Sequence, residues 1–173
     1  MPDTTFNREK KTDRPVIALC YDFDKTLSPD DMQAQGYIQT VQPEGSDMIG
    51  DFWKESNGRA TANNMDKNLA YMYTMKKKAR GQIVFTKEKL AEYGSQVALF
   101  PGVEDWFKRI RDYGYDKGII VEHYIISSGL KEMIEGTSIA KEFKELYATS
   151  FYFDDDDLFW GHTIEVTVNQ KLE

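Results

Sequence analysis

Hydrophobic and polar positions follow two regimes along the chain. Residues 16–21 (VIALCY) form an unbroken apolar run, short enough for a strand covered on both faces. A second such run, residues 119–126 (IIVEHYII), comes much later and closes in Ser-Ser-Gly. Between them the period becomes helical: "GSDMIGDFWKES" and "ANNMDKNLAYMYTMKKKARG" read as helices, with Met65, Leu69, Met72 and Met75 at three- and four-residue steps and Gly81 as a stop. "TKEKLAEYG" adds a short helix capped by Thr86 and ended by Gly94. "FPGVEDWFKRIRDYG" supplies a Pro-Gly turn and an amphipathic helix with Val103, Phe107 and Ile110 on one side, ended by Gly114. Beyond the second apolar run, "LYATSFYF" and "LFWGHTIEVTV" read as strands joined by a hairpin turn at Asp154–Asp157.

Strand, helical insertion, helix, strand is the order of an α/β fold with a parallel sheet. Residues 1–14 are polar and read as a flexible arm, 15–32 and 99–173 as the α/β core ending in a β-hairpin, and 33–98 as a helical insertion. The methionine stripe reads as core packing, not a ligand groove, and the aromatics Phe52, Trp53, Tyr71 and Tyr73 read as the insertion's core.

The 173 residues suffice for one domain carrying an insertion, and the two-fifths that are apolar can bury a core. With a formal net charge of -7 and only a short basic cluster at Lys76–Arg80, nucleic acid is excluded as the main partner. Cys20 is the single cysteine, so no internal disulfide or cysteine-built metal site exists; inside the apolar run it reads as a buried thiol. The start lacks the apolar core of a signal peptide, and no run approaches the roughly 18 apolar residues of a membrane helix. A cytoplasmic protein with no membrane partner is expected. His123 and His162 fall within strands, lack spaced metal-ligand partners and read as structural.

In open parallel sheets reactive groups gather beyond the carboxyl ends of the strands. Asp22 and Asp24 emerge from the first strand, Ser127 and Ser128 from the second, so both sets face one crevice. Two carboxylates at this spacing suit a hard cation such as magnesium. A carboxylate is also a competent nucleophile toward phosphorus when a cation screens its charge. Hydroxyl and backbone donors leading into a helix at Gly129 would hold phosphoryl oxygens.

These residues resemble a family. "DFDKTL" is similar to the D-x-D-x-T motif of the haloacid dehalogenase (HAD) superfamily, and "YIISSGL" resembles its second motif, an apolar strand closing in Ser or Thr. The insertion resembles the small helical cap of phosphoserine-phosphatase-like members. The resemblance implies a Rossmann-like core and a magnesium-dependent phosphatase acting on a small phosphorylated metabolite through an aspartyl-phosphate. In it Asp22 matches the nucleophile and a magnesium ligand. Asp24 matches the general acid and base, with its carbonyl on the metal. Thr26 matches the residue that steadies the loop, and Ser127 the phosphate-binding hydroxyl, with Ser128 and Gly129 beside it.

The family also needs a lysine that neutralises nucleophile and phosphate, and an acidic pair that completes the metal site. Lys171 stands near the lysine's place, whereas Lys131 and Lys141 fit surface helical positions. Asp154–Asp157 lie in the hairpin turn and are not the acidic pair; after Lys171 the one acid is Glu173. The chain therefore reads as truncated before the third and fourth motifs. The first strand should then show an unpaired edge, covered by another segment or by self-association. The alternative to an enzyme is a catalytically incomplete phosphate-binding or regulatory domain.

Overall fold

The computed structural model describes residues 14–154 apart from 43 and 46, together with the backbone of 159–164. Four strands form one sheet in the order β1 (Val16–Tyr21), β2 (Ile120–Leu130), β3 (Glu145–Phe153), β4 (Phe159–Ile164). The first three are parallel, and β4 runs antiparallel to β3 as the C-terminal hairpin predicts. The long crossover from β1 to β2 carries α1 (Tyr37–Val41), α2 (Met48–Asn63), α3 (Lys67–Ala79), α4 (Lys87–Gly94) and α5 (Val103–Asp116), and β2 to β3 passes through α6 (Lys131–Gly136). This is a Rossmann-like α/β core with a helical unit inserted after the first strand.

Local chemistry sets the helix ends. Asp47 accepts the Gly50 N–H (2.9 Å), Asp66 accepts the Asn68 N–H (2.6 Å) and Thr86 accepts the Lys89 N–H (3.2 Å), each relieving an unpaired donor of a first turn. Lys76, Lys77 and Lys78 occupy the last turn of α3, where the helix dipole favours cations, and Gly81 follows in the left-handed region (φ +75°). Glu55 of α2 is gripped by Lys78 (2.8 Å), Arg59 (3.1 Å) and Lys77 (3.2 Å), which ties α2 to α3. Met72 and Met75 are core residues, while Met65 and Leu69 are half-buried. One apolar cluster runs from Phe107 and Ile125 in the core to Tyr37, Met75 and Phe52 in the insertion. Tyr37, fully buried, donates its hydroxyl to the Met75 carbonyl (2.8 Å).

Three expectations fail. β1 is not covered on both faces: Val16 and Ile17 are 52% and 46% exposed, and Cys20 is exposed. The reason is position: β1 is the edge of the described sheet, and among the described residues the helices pack chiefly beyond it, α5 lying against β2. Gly114 does not end α5, which continues to Asp116; it is buried where a Cβ would meet Val121 Cγ2 at 2.6 Å. Finally, β2 extends to Leu130 and the next helix starts at Lys131, not Gly129.

The short helix α4, although part of the inserted sequence, packs on the core helix α6. A Cβ on Gly94 would sit 1.9 Å from the Met133 carbonyl oxygen, and one on Gly136 would sit 1.9 Å from the Ala91 carbonyl oxygen. These are reciprocal backbone contacts that no side-chain rotation can relieve. Helix propensity alone favours alanine over glycine by about 1 kcal/mol. The backbone clash should outweigh it, so Gly94→Ala is expected to lose about 2 kcal/mol or more in urea unfolding. An unchanged or higher midpoint would show that the two helices are not in this contact.

Candidate active site

The register Val16↔Ile120 through Tyr21↔Ile125 carries Asp22 to the level of Ile126, about 5 Å across the ladder and one residue from Ser127. Asp22 is half-buried, and the Phe23 N–H donates to its Oδ1 (2.9 Å). The chain then wraps round the carbonyl of the fully buried Phe23, which accepts from Leu27 (2.9 Å), Thr26 (3.2 Å) and Ser28 (3.2 Å). Lys25 takes the left-handed conformation (φ 60°) and pairs with Asp31 (2.9 Å). This tight turn swings Asp24 back over the end of β2.

Asp24 accepts the Met32 N–H at Oδ1 (2.9 Å), and its Oδ2 faces Gly129. A Cβ on Gly129 would lie 3.1 Å from Asp24 Oδ2, 3.2 Å from Ser127 Oγ and 2.6 Å from Met32 Cε. The two oxygens are therefore no more than about 6.3 Å apart, the sum of those two distances. Glycine is needed at 129 for this close approach. Ser127 is fully buried; its Oγ accepts the Gly129 N–H (3.0 Å), which leaves its own proton free to donate. The ladder to β3 is interrupted between Ser127 and Leu130, an irregularity of the kind that re-aims side chains at a strand end.

Burial pushes the Asp24 carboxyl up to about 7, against the Met32 N–H, while the Asp31 and Asp22 charges raise it further. Such a carboxyl can hold a proton near neutral pH and give it up, the property an acid–base group needs. Glu132, at the start of α6, is likewise pushed up to about 7 by burial, and accepts the Phe151 N–H at Oε1 (2.8 Å). It ties the helix behind Ser127 to β3.

A cleft of about 200 Å³ opens between this loop and the insertion. Asp24, Asp31, Gln33 and Ser128 line its core side; Trp53, Ser56 and Asn57 of α2 and Lys67, Asn68 and Tyr71 of α3 line the other. Tyr71 donates its hydroxyl to the Ser128 carbonyl (2.9 Å), joining the two walls. The structure thus brings Asp24, Ser127 and Gly129 together and puts Asp24 and Ser128 in the cleft; Asp22, at the neighbouring strand tip, and the fully buried Ser127 do not line it. Thr26 is exposed, does not line the cleft and contributes its N–H to the turn. Trp53 and Tyr71 line the cleft, Phe52 is core, and Tyr73 is 54% exposed, so these aromatics do not form one core. Lys171, Asp155–Asp157 and the His162 side chain lie outside the described residues.

His123 is buried against Phe107 and Tyr21. Trp106 Nε1–H donates to the Tyr21 hydroxyl (2.9 Å), which shares a further hydrogen bond with His123 Nδ1 (3.0 Å). Burial, then the Arg111 charge, hold the imidazole below its usual value. Gln33, Ser56, Asn57 and Lys67 escaped sequence reasoning. The signal was the spacing of Trp53, Ser56 and Asn57 on one helical face, which turns a polar strip toward the core only when α2 is placed.

The fold is that of the HAD hydrolases. The chain is similar to a phosphoserine phosphohydrolase-like protein from Francisella tularensis, with a TM-score of 0.51 and 15% identity over 87% of this chain and 64% of that one. It is similar also to a HAD family hydrolase from Salmonella enterica serovar Typhi, with a TM-score of 0.51 and 15% identity over 85% of this chain and 45% of that one. The chain thus spans less than two thirds of the length of either. No protein-family model and no curated protein sequence matches it.

The raised Asp24 value fixes a sign for stability. In the folded state the carboxyl keeps its proton up to about pH 7, whereas unfolded it releases it near 3.8, so its contribution falls as pH rises between those values. Asp24→Asn, measured without divalent cation, should match the wild type near pH 4 and exceed it by about 1–3 kcal/mol above pH 7. Parallel stability curves across this window would mean that Asp24 is not buried as described.

Proposed function

We propose that the chain is a cytoplasmic, magnesium-dependent phosphohydrolase of the HAD type, acting on a small phosphorylated metabolite. The observation that carries this reading is the convergence of Asp24 Oδ2 and Ser127 Oγ on Gly129, beside Asp22. Among the described residues, no helix is long and apolar enough to cross a membrane.

The Asp22 carboxylate and the Asp24 backbone carbonyl would hold a magnesium ion that keeps several waters, which leaves the Asp24 carboxyl for proton transfer; no group of three or more acidic, His or Cys ligands occurs among the described residues. Magnesium would screen the carboxylates from the anionic substrate and polarise a phosphoryl oxygen. The remaining steps belong to the chain. The Ser127 hydroxyl and the backbone at 128–129 orient the phosphoryl group. An Asp22 carboxylate oxygen attacks phosphorus, the ester P–O bond breaks, and Asp24 passes its proton to the leaving oxygen. Water then attacks phosphorus of the aspartyl-phosphate, Asp24 takes the water proton, and Asp22 is regenerated with release of phosphate. Closure of the insertion over the loop limits bulk water.

A second reading is favoured by the exposed apolar edge of β1. An incomplete site would bind phosphate without turning over, and Val16–Tyr21 would pair with a second copy or further polypeptide. Within the core, Lys25 is the cation nearest in sequence to the carboxylates, and it is held by Asp31. Hydrolysis of p-nitrophenyl phosphate with magnesium, assayed on size-exclusion fractions at several loadings, tests both readings. The enzyme reading expects turnover that falls by about a thousandfold or more in Asp22→Asn. Equal rates in both proteins would overturn it, and no rate in either fraction, with concentration-dependent elution, would favour the incomplete site.

A further inference from the structure

The cap–core cleft contains two polar side chains that the hydrogen bonds of the described residues do not use. Gln33 is 2% exposed and Ser56 is 1% exposed, and among the described residues neither side chain has a hydrogen-bond partner. Both nevertheless line the cleft. Side chains so nearly buried, with polar atoms that open only on the cleft, are placed to bond whatever fills it, a ligand or water standing in for one. Their positions relate them to the chemistry. Gln33 follows Met32, whose N–H holds Asp24, and Ser56 lies across the gap on α2 beside Trp53.

Resting on the phosphohydrolase reading above, we propose that Gln33 and Ser56 select the substrate by its hydroxyl groups, the substrate being a compact phosphorylated polyol of three or four carbons. The chemistry of the pair leads to this class. An amide and a hydroxyl are neutral, and each both donates and accepts, which matches vicinal alcohols better than an ion. The volume sets the size, because about 200 Å³ is below the roughly 300 Å³ at which pockets begin to take drug-sized molecules such as a nucleoside monophosphate. A site that hydrogen-bonds a substrate hydroxyl also rejects the analogue lacking it, since its own groups are then buried unpaired. Lys67, without an ion pair among the described residues, stands exposed on the same cleft wall; it offers the competing possibility of a carboxylate contact, which the test separates.

The test is binding to the full chain with magnesium, read by isothermal titration calorimetry, which does not depend on turnover. The probes are inorganic phosphate, glycerol 3-phosphate, propyl phosphate, 3-phosphoglycerate and adenosine monophosphate. Glycerol 3-phosphate is expected to bind at least about tenfold tighter than propyl phosphate, which has the same chain without the hydroxyls. Gln33→Leu and the milder Ser56→Ala should each bring that ratio toward one while inorganic phosphate binds as before. Equal binding of the two esters by the wild type, or a ratio that survives both substitutions, overturns the assignment while phosphate binding leaves the catalytic reading standing. Tighter binding of adenosine monophosphate overturns the size argument. A tenfold preference for 3-phosphoglycerate that Lys67→Met removes overturns the polyol class. Failure of inorganic phosphate itself to bind removes the phosphohydrolase reading, and the assignment of Gln33 and Ser56 with it.

Discussion

The parallel ladder between β1 and β2 is the constraint from which the site follows. Six consecutive residue pairs fix the two strands in one direction and one register, so both chains leave the sheet at the same end. An antiparallel pair, or a slip of several residues, would send Asp22 and Ser127 apart whatever their local sequence. The ladder is possible because the intervening helices return the chain to β2 through a long crossover, as parallel pairing requires. The placing of the candidate site is here a product of sheet topology before it is a product of individual side chains.

Close backbone approach does the second part of the work. Gly129 lets Asp24, Met32 and Ser127 meet within a few ångströms, and the Gly94 and Gly136 contacts press α4 onto the helix that follows the Ser127 loop. The consequence is electrostatic. An enclosed Asp24 keeps a proton near neutral pH, at a cost to stability that a solvent-exposed carboxylate would not incur. Glu132, at the start of that helix, is also pushed up by burial and anchors the helix to β3 through Phe151. Residues around the loop are thus less favourably placed for stability than for proton exchange, the compromise expected where a site is built.

What was legible in the sequence was what is local. "VIALCYDFDKTL" and "YIISSGL" join a strand signal to the chemistry at its end, so element and reactive group are read together. The cap residues Thr86 and Gly81 act through neighbours a few positions away, and they are where the sequence put them. What failed depended on distant chain. Nothing inside "VIALCY" says whether another strand lies beside it, so Cys20 read as buried when the edge leaves it exposed. Gly114 looked like a terminator because its contact with Val121 is invisible until β2 packs on α5. Gln33 and Ser56 look like ordinary polar positions until two separate elements close round them.

The central claim is that two strand tips share one phosphate-binding pocket. Amide shifts of the isotope-labelled chain in two-dimensional NMR, followed as magnesium and inorganic phosphate are added, test it most directly. The account predicts that the largest changes fall together on Phe23, Asp24, Met32 and Ser127–Gly129. Changes confined to one of the two tips, or scattered over the basic surface of α3, would contradict it.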